Sequence, residues 1–497
     1  QIHKVQNLAS IKSEIIRIEK SRVLHLADSL LAEKPTTVTA AFCPRSAGGI
    51  HDYYSEGTYW WPDPANPDGP YIRKDGVNNP DNFDFHLKAI GRFSWITGTE
   101  TSAFLLTGNK KYALAAVKHL KAWFIDSATV MNPNLLYAQA IKGINSGRGI
   151  GIIDAVSLIE VARSVEILEK TPYLSETDAK TIKNWFGKFI DWLNTHPYGI
   201  DEMNAKNNHG TWWHAQVAAY AYLTGNREMM EKCRKHYREI LLPNQMSQDG
   251  SFPLELERTK PFAYSLFNLD GMAALAVLVS DKKFDGWHFK LADGRGMETG
   301  TAFIKPFLVN INNWTYPKDI SRWDEQPGRR PFMYLAALHQ NSTEWLEIWK
   351  KNNADFPSDE SRRNMPLKNP VLWLDINTPV LQNPKEKWLK NALEISEYQL
   401  LSASKAWKDS LKTPRTFENG KILLVNEKDW TCGFFPGSLW YMYEITGNED
   451  FRTEAERFTG FLSKVQYRTN THDVGFMLQC SYGNGFRITG NEAYKQV

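Results

Sequence analysis

The chain has 497 residues, more than one ordinary compact core holds, so two domains or one large closed architecture is expected. A hydrophobic fraction of 42% with 23% charged residues excludes a disordered, collagen-like or coiled-coil chain, and no stretch approaches the roughly 20 uninterrupted apolar residues of a membrane helix. A formal net charge of +3 is too balanced for a nucleic-acid binder, so an anionic partner must meet a local basic patch.

The chain opens at Gln1 rather than Met, as it would after removal of a secretory signal. Residues 45–85 are too rich in Pro, Gly and Asn for a helix and read as a long surface loop of the kind that carries function. Helical periodicity then dominates. From Lys111 to Phe124, Leu114, Val117, Leu120, Trp123 and Phe124 fall at the spacing of one buried face, and 154–168, 184–193 and 212–223 read the same way. Thr-Gly-Asn recurs at 107–109, 224–226, 446–448 and 489–491, each time between an apolar run and a charged one. Gly suits the left-handed residue that ends a helix and Asn caps the next, so each copy predicts the bend of a helical hairpin. Stacked hairpins form an open superhelix or a closed toroid, and the pattern by itself does not choose. The stretch 355–370, with Pro357, Pro366 and Pro370 among charges, reads as linker-like. The layout expected is a first domain over 1–370, a linker over 371–384 and a second helical region over 385–497. Cys43, Cys233, Cys432 and Cys480 are widely scattered, which predicts buried free thiols and neither a zinc site nor a disulfide framework.

The chemistry concentrates in two motifs. Asn207-Asn208-His209-Gly210-Thr211-Trp212-Trp213 opens a predicted helix, where backbone amides favour an anion. About 50 residues on, Phe252-Pro253-Leu254-Glu255-Leu256-Glu257-Arg258 is followed by Tyr264. An amide, an imidazole, a guanidinium and a phenol fit β-elimination across a 4-linked uronic acid. Donors from Asn208 and Arg258 on the carboxylate stabilise the enediolate, His209 or a deprotonated Tyr264 takes the carbon-5 proton, and a tyrosine hydroxyl protonates the leaving oxygen 4. Each residue has a plainer reading: Asn208 as a helix cap, Arg258 as a partner of Glu255, Tyr264 as a core aromatic, His209 as a structural histidine.

Through Asn-Asn-His-Gly-Thr-Trp at 207–212 and Pro-Leu-Glu-Leu-Glu-Arg with its downstream Tyr at 253–264, residues 1 to about 370 resemble the alginate lyase family of polysaccharide lyases. Gly147-Arg148-Gly149-Ile150 and Tyr-Trp-Trp-Pro-Asp at 59–63 resemble its branch acting on mannuronate-rich or glucuronate polymers. The resemblance implies an all-α, α/α toroid and a lyase without metal or cofactor. It gives Asn208 and Arg258 as carboxylate ligands, His209 as base or tuner of the tyrosine, and Tyr264 as acid, or as both base and acid in a syn elimination. Tyr59, Trp60, Trp61 and Trp212 are candidates for stacking on sugar faces and Arg148 for contacting a further uronate, each with a structural alternative. Lys260, Arg329 and Arg330 are candidate groove cations.

Residues from about 385 resemble the N-terminal part of the unsaturated glucuronyl hydrolase family, through Pro414-Arg-Thr-Phe, Trp430-Thr-Cys-Gly-Phe-Phe-Pro-Gly-Ser-Leu-Trp440 and Thr471-His472-Asp473-Val-Gly-Phe-Met. Asp473 matches one of that family's two catalytic carboxylates, and a partial second α/α-hairpin region, inactive alone, is expected; the plainer reading of Asp473 is a helix cap. The leading expectation is therefore a lyase cleaving β-1,4-linked polyuronate, alginate or glucuronan, with an anionic polysaccharide as partner and a bacterial periplasmic or secreted location. The alternatives are glucuronyl hydrolysis by the C-terminal region and a non-catalytic carbohydrate-binding protein. The sequence assigns no oligomeric state.

Overall fold

The structure, a computed structural model, describes residues 2–354, 358–374, 384–408 and 411–497. The chain divides into two compact units, Gln1–Leu381 and Gln382–Val497.

The first unit is built from helices α1 (Ile2–Leu30), α2 (Phe85–Thr107), α3 (Lys110–Phe124), α4 (Leu158–Leu168), α5 (Glu176–Thr195), α6 (Pro197–Met203), α7 (Asn208–Thr224), α8 (Arg227–His236), α9 (Leu242–Gln245), α10 (Pro253–Leu256), α11 (Pro261–Leu278), α12 (Met297–Val309), α13 (Pro331–His339), α14 (Thr343–Lys351) and α15 (Asp359–Arg363). Contacts run α1 to α2, α2 to α4, α4 to α7, α7 to α11, α11 to α13 and back from α13 to α1, so six helices close a ring. α3, α8, α12 and α14 pack on ring helices from their flanks, giving the α/α toroid that periodicity alone left open. Ring helices are buried nearly all round, as in α7 and α11, because both faces meet protein. α11 is also long and apolar enough to cross a membrane by composition, but 83% of it is buried in this core. Leu114, expected on the buried face of α3, is 49% exposed; Tyr112, Ala113 and Ala116 complete that face with Val117, Leu120, Trp123 and Phe124.

The Thr-Gly-Asn bends form as predicted. Gly108, Gly225, Gly447 and Gly490 take φ of 66°, 71°, 66° and 68° at helix C-termini, and Asn109, Asn226, Asn448 and Asn491 each accept a backbone N–H of the next helix. Residues 45–84 contain no helix, and Phe85 opens α2. β1 (Tyr54–Glu56), β2 (Trp60–Trp61) and β3 (Ile72–Arg73) lie there, β2 pairing antiparallel with β3 and β1 pairing parallel with β4 (Tyr137–Ala140).

The linker reading of 355–370 is corrected. Residues 358–374 pack on the first unit: Met365, Leu367, Val371, Leu372, Trp373 and Leu374 are buried, and Asn369 is clamped by buried Glu160, whose carboxylate accepts its backbone N at 2.8 Å and its Nδ2 at 2.7 Å. The expected linker over 371–384 thus begins with four buried apolar side chains, and 375–383 lie outside the described residues. Prolines misled because they mark the absence of a long helix, which a packed strap shares with a linker.

The second unit holds α16 (Pro384–Ala406), an antiparallel hairpin β5 (Thr413–Glu418) and β6 (Lys421–Val425), then α17 (Phe434–Thr446), α18 (Glu449–Gly460), α19 (Val474–Leu478), α20 (Asn484–Thr489) and α21 (Glu492–Lys495). Phe435, Leu439, Trp440, Phe451 and Phe458 form its main core, with Trp440 Nε1 donating to Thr459 Oγ1 at 3.0 Å. All four cysteines are free; Cys43, Cys233 and Cys432 are buried, whereas Cys480 is half-buried.

Candidate active site

The site starts at the N-terminus of α7. Asn207 caps the helix by accepting the backbone N–H of His209, so the capping role that Asn208 competed for belongs to its neighbour. The helix comes close to its entry segment at Gly210, where a Cβ would lie 2.1 Å from the carbonyl oxygen of Ala205, which only glycine avoids. Asn208, 1% exposed, is gripped by Glu255 of α10. The carboxylate accepts its backbone N–H at 2.6 Å and its Nδ2 at 2.7 Å, leaving one amide hydrogen for a ligand. Glu255 therefore does not pair with Arg258. Burial pushes the Glu255 carboxyl above its ordinary range, against the donors of Asn208 and the charges of His209 and Arg258.

His209 places Nδ1 2.6 Å from Oε1 of Glu202, a carboxylate on α6 that is 3% exposed. Burial is the largest influence on the imidazole and lowers its pKa, but the charge and hydrogen bond of Glu202 and the charge of Glu255 outweigh it, so the net shift is upward.

The second half comes from the α10–α11 connection. Arg258 Nη2 donates to the Tyr264 hydroxyl at 3.0 Å and to Asp75 Oδ1 at 3.1 Å, and its guanidinium stacks 4.0 Å from the centre of the Tyr264 ring. Tyr264 sits in the first turn of α11, which Pro261 opens and Asp319 anchors by accepting the N–H groups of Phe262 and Ala263 at 2.9 and 3.1 Å. The Tyr264 oxygen lies 3.1 Å from the Tyr59 hydroxyl. Burial first, then Tyr59, hold the Tyr264 phenol well above its ordinary range, against the pull of Arg258.

Of the expected sugar-stacking residues, Tyr59, Trp60 and Trp61 lie half-exposed at and beside β2. Arg148 lies 5.8 Å over the Trp60 ring, and its Nε and Nη2 donate to the carbonyl and side-chain oxygens of Gln139, both at 3.0 Å. Trp212 is corrected: it is 0% exposed and packs against Phe267 at 5.0 Å, so it belongs to the core and cannot meet a sugar. The groove reading of three cations is corrected as well. Lys260 is 3% exposed and paired with Glu360 at 2.5 Å, Arg330 is 2% exposed and paired with Asp270 at 2.7 Å, and Arg329 reaches Glu19 at 3.5 Å.

Sequence reasoning missed Glu202, Asp75 and Arg363. Arg363, carried by α15, donates to Thr58 Oγ1 at 3.2 Å, with Tyr59 and Tyr264 among its electrostatic neighbours. Glu202 lies seven residues before His209, a spacing with no helical meaning because a break separates α6 from α7. In the second unit, Asp473 stands at the start of α19 but makes no cap; its carboxylate accepts from Thr471 Oγ1 at 2.9 Å.

Comparison with known proteins agrees with this layout. A crystal structure of an alginate lyase from Bacteroides ovatus is 32% identical, covering 75% of this chain and 98% of its own, with a TM-score of 0.64. An unsaturated glucuronyl hydrolase of Formosa agariphila is 40% identical over 74 residues, and an unsaturated chondroitin disaccharide hydrolase of Streptococcus pneumoniae 33% over 88; these are 15% and 17% of this chain. The matches cover only 18% and 22% of those two curated relatives. Residues 37–314 match the family model described as alginate lyase, and the chain belongs to that family.

Proposed function

We propose that the first unit cleaves β-1,4-linked polyuronate by β-elimination, leaving a 4,5-unsaturated uronate end, with mannuronate-rich alginate or glucuronan as substrate. The observation that carries this reading is the Tyr264 hydroxyl held between the Arg258 guanidinium at 3.0 Å and the Tyr59 hydroxyl at 3.1 Å, while Glu255 ties Asn208 to the α10 end of the same connection. The remaining amide hydrogen of Asn208, together with Arg258, meets the substrate carboxylate and stabilises the enediolate as charge moves onto it. Tyr264 protonates oxygen 4. For mannuronate or glucuronate the carbon-5 hydrogen and oxygen 4 depart from one face, so Tyr264 serves both transfers and a protonated His209 donates to the carboxylate. An anti elimination instead uses neutral His209 as base and Tyr264 as acid. Both forms hold one proton on the His209–Tyr264 pair, so they share one pH profile, whose acid limb follows His209. Trp60, Trp61 and Arg148 bind flanking sugars.

The test is a panel of mannuronate, guluronate and glucuronate polymers followed by the ultraviolet absorbance of the conjugated double bond. Rising absorbance with the mannuronate or glucuronate polymer is expected; none with any polyuronate sinks the proposal. The hydrolase likeness of residues 385–497 supplies a second reading, a downstream hydrolysis involving Asp473. The expected outcome is that the absorbance, once formed, persists; its decay, abolished by Asp473→Asn, would establish the hydrolase. A bacterial periplasmic or secreted location is part of the proposal and follows from the size of a polymeric substrate.

A further inference from the structure

We propose that Glu202 is the positioning residue of His209: its carboxylate fixes the imidazole with Nδ1–H toward α6 and so reserves Nε2 for the substrate. The inference rests on the polyuronate-lyase reading for its catalytic consequence, but its structural half stands on geometry. The Nδ1 to Oε1 separation is 2.6 Å, the Glu202 carboxylate is 3% exposed, and Nε2 of His209 makes no hydrogen bond among the described residues. A carboxylate accepts only, so the shared proton belongs on Nδ1 and the tautomer is determined. Nε2 then acts as acceptor in the neutral ring and as donor in the charged one.

The charged groups facing His209 are Glu202 on α6, Glu255 on α10 and Arg258 just beyond α10. Glu255 is already committed to both donors of Asn208, so it acts on the ring through space, and Arg258 is turned to Asp75 and Tyr264. Among the described residues Glu202 is thus the one group that both bonds the ring and raises its proton affinity. Removing its charge leaves burial and Arg258, which lower that affinity, opposed by the more distant charge of Glu255. The helix break at 204–207 gives the arrangement its purpose: it lets α6 point a carboxylate at the first turn of α7, where a ring on an uninterrupted helix would have only its own neighbours.

The experiment is an NMR titration of the full chain carrying 15N-labelled histidine, with the His209 signal identified by its loss in His209→Ala. In the unaltered protein the Nδ1–H tautomer is expected, and Glu202→Gln should lower the His209 midpoint by more than one pH unit. Should Glu202→Gln fail to fold, Glu202→Asp carries the test, since a retained charge at a longer reach should lower the midpoint by less. The acid limb of turnover should move to lower pH in step with the midpoint, which a merely structural loss, uniform across pH, would not produce. An unmoved midpoint, or an Nε2–H tautomer, overturns the proposal. A midpoint that moves in a protein turning over no polyuronate sustains the Glu202 assignment and sinks the functional reading.

Discussion

Two asparagine clamps in the first unit have nearly the same geometry and different consequences. At Asn208 the carboxylate of Glu255 accepts the backbone N–H at 2.6 Å and Nδ2 at 2.7 Å; at Asn369 the carboxylate of Glu160 accepts the same two groups at 2.8 and 2.7 Å. Both carboxyls are pushed upward by burial against the donors they bind. The first clamp stands next to His209, with Arg258 three residues after its glutamate. The second stands between Lys368 and Pro370, with the side-chain amide oxygen of Asn369 accepting from Thr99 Oγ1 at 3.3 Å, and its product is a strap held on α4. A buried Asn–Glu pair therefore says only that a backbone turn is held in place. Chemistry depends on which reactive side chains that turn presents.

The comparison can be broken from the first clamp outward. His209→Ala should lower absorbance-detected turnover by about 100-fold to 10,000-fold with an unchanged melting temperature; retained turnover would place the two clamps on the same structural footing. Glu255→Gln should cost about 10-fold or more in kcat, because the reversed amide repels one of the two Asn208 donors. Glu160→Gln should instead lower stability by about 1–3 kcal/mol, read by urea unfolding, with turnover kept. Loss of activity from Glu160→Gln at full stability would show that the strap bearing Arg363 governs the site directly.

A smaller effect sharpens the rule that a buried carboxylate needs donors. Glu100 on α2 is 0% exposed and neither oxygen has a hydrogen-bond partner among the described residues, and burial first, then the charge of Asp28, raises its carboxyl to about 8. The folded state then binds a proton that the unfolded chain releases above an ordinary carboxyl pKa of 4.5, so the stabilisation is full below that value and is lost as pH rises through about 8. Glu100→Gln should therefore raise the melting temperature by a few degrees at pH 8.5 and by little at pH 5. Equal shifts at both would mean that Glu100 is charged in the fold. Trp60→Ala, smaller still, should raise KM on polymer by about 5-fold, consistent with ~1 kcal/mol for one stacking contact.

Much of the architecture was legible in the sequence because it rests on local rules. Each Thr-Gly-Asn bend needs only a left-handed glycine and an asparagine cap, and the motifs at 207–213 and 252–264 lie on the two ring helices in closest contact and the turns that open them. What stayed hidden depends on distant partners. Trp212 belongs to a site motif and yet is core, since burial is decided by α11 rather than by its neighbours in sequence. Glu202, Asp75 and Arg363 carry no periodic signal and meet the site only after the ring closes. The Asn419-Gly420 turn, with φ of 48° and 75°, marks the β5–β6 hairpin in a region read as helical.

The central claim is that Asn208, His209, Arg258 and Tyr264 meet one uronate. A crystal structure of the Tyr264→Phe variant soaked with a mannuronate or glucuronate tetrasaccharide tests this most directly. The account predicts one sugar carboxylate within hydrogen-bond reach of Asn208 Nδ2 and Arg258, with carbon 5 facing the position of the missing hydroxyl. A tetrasaccharide bound with no carboxylate at those groups would contradict it.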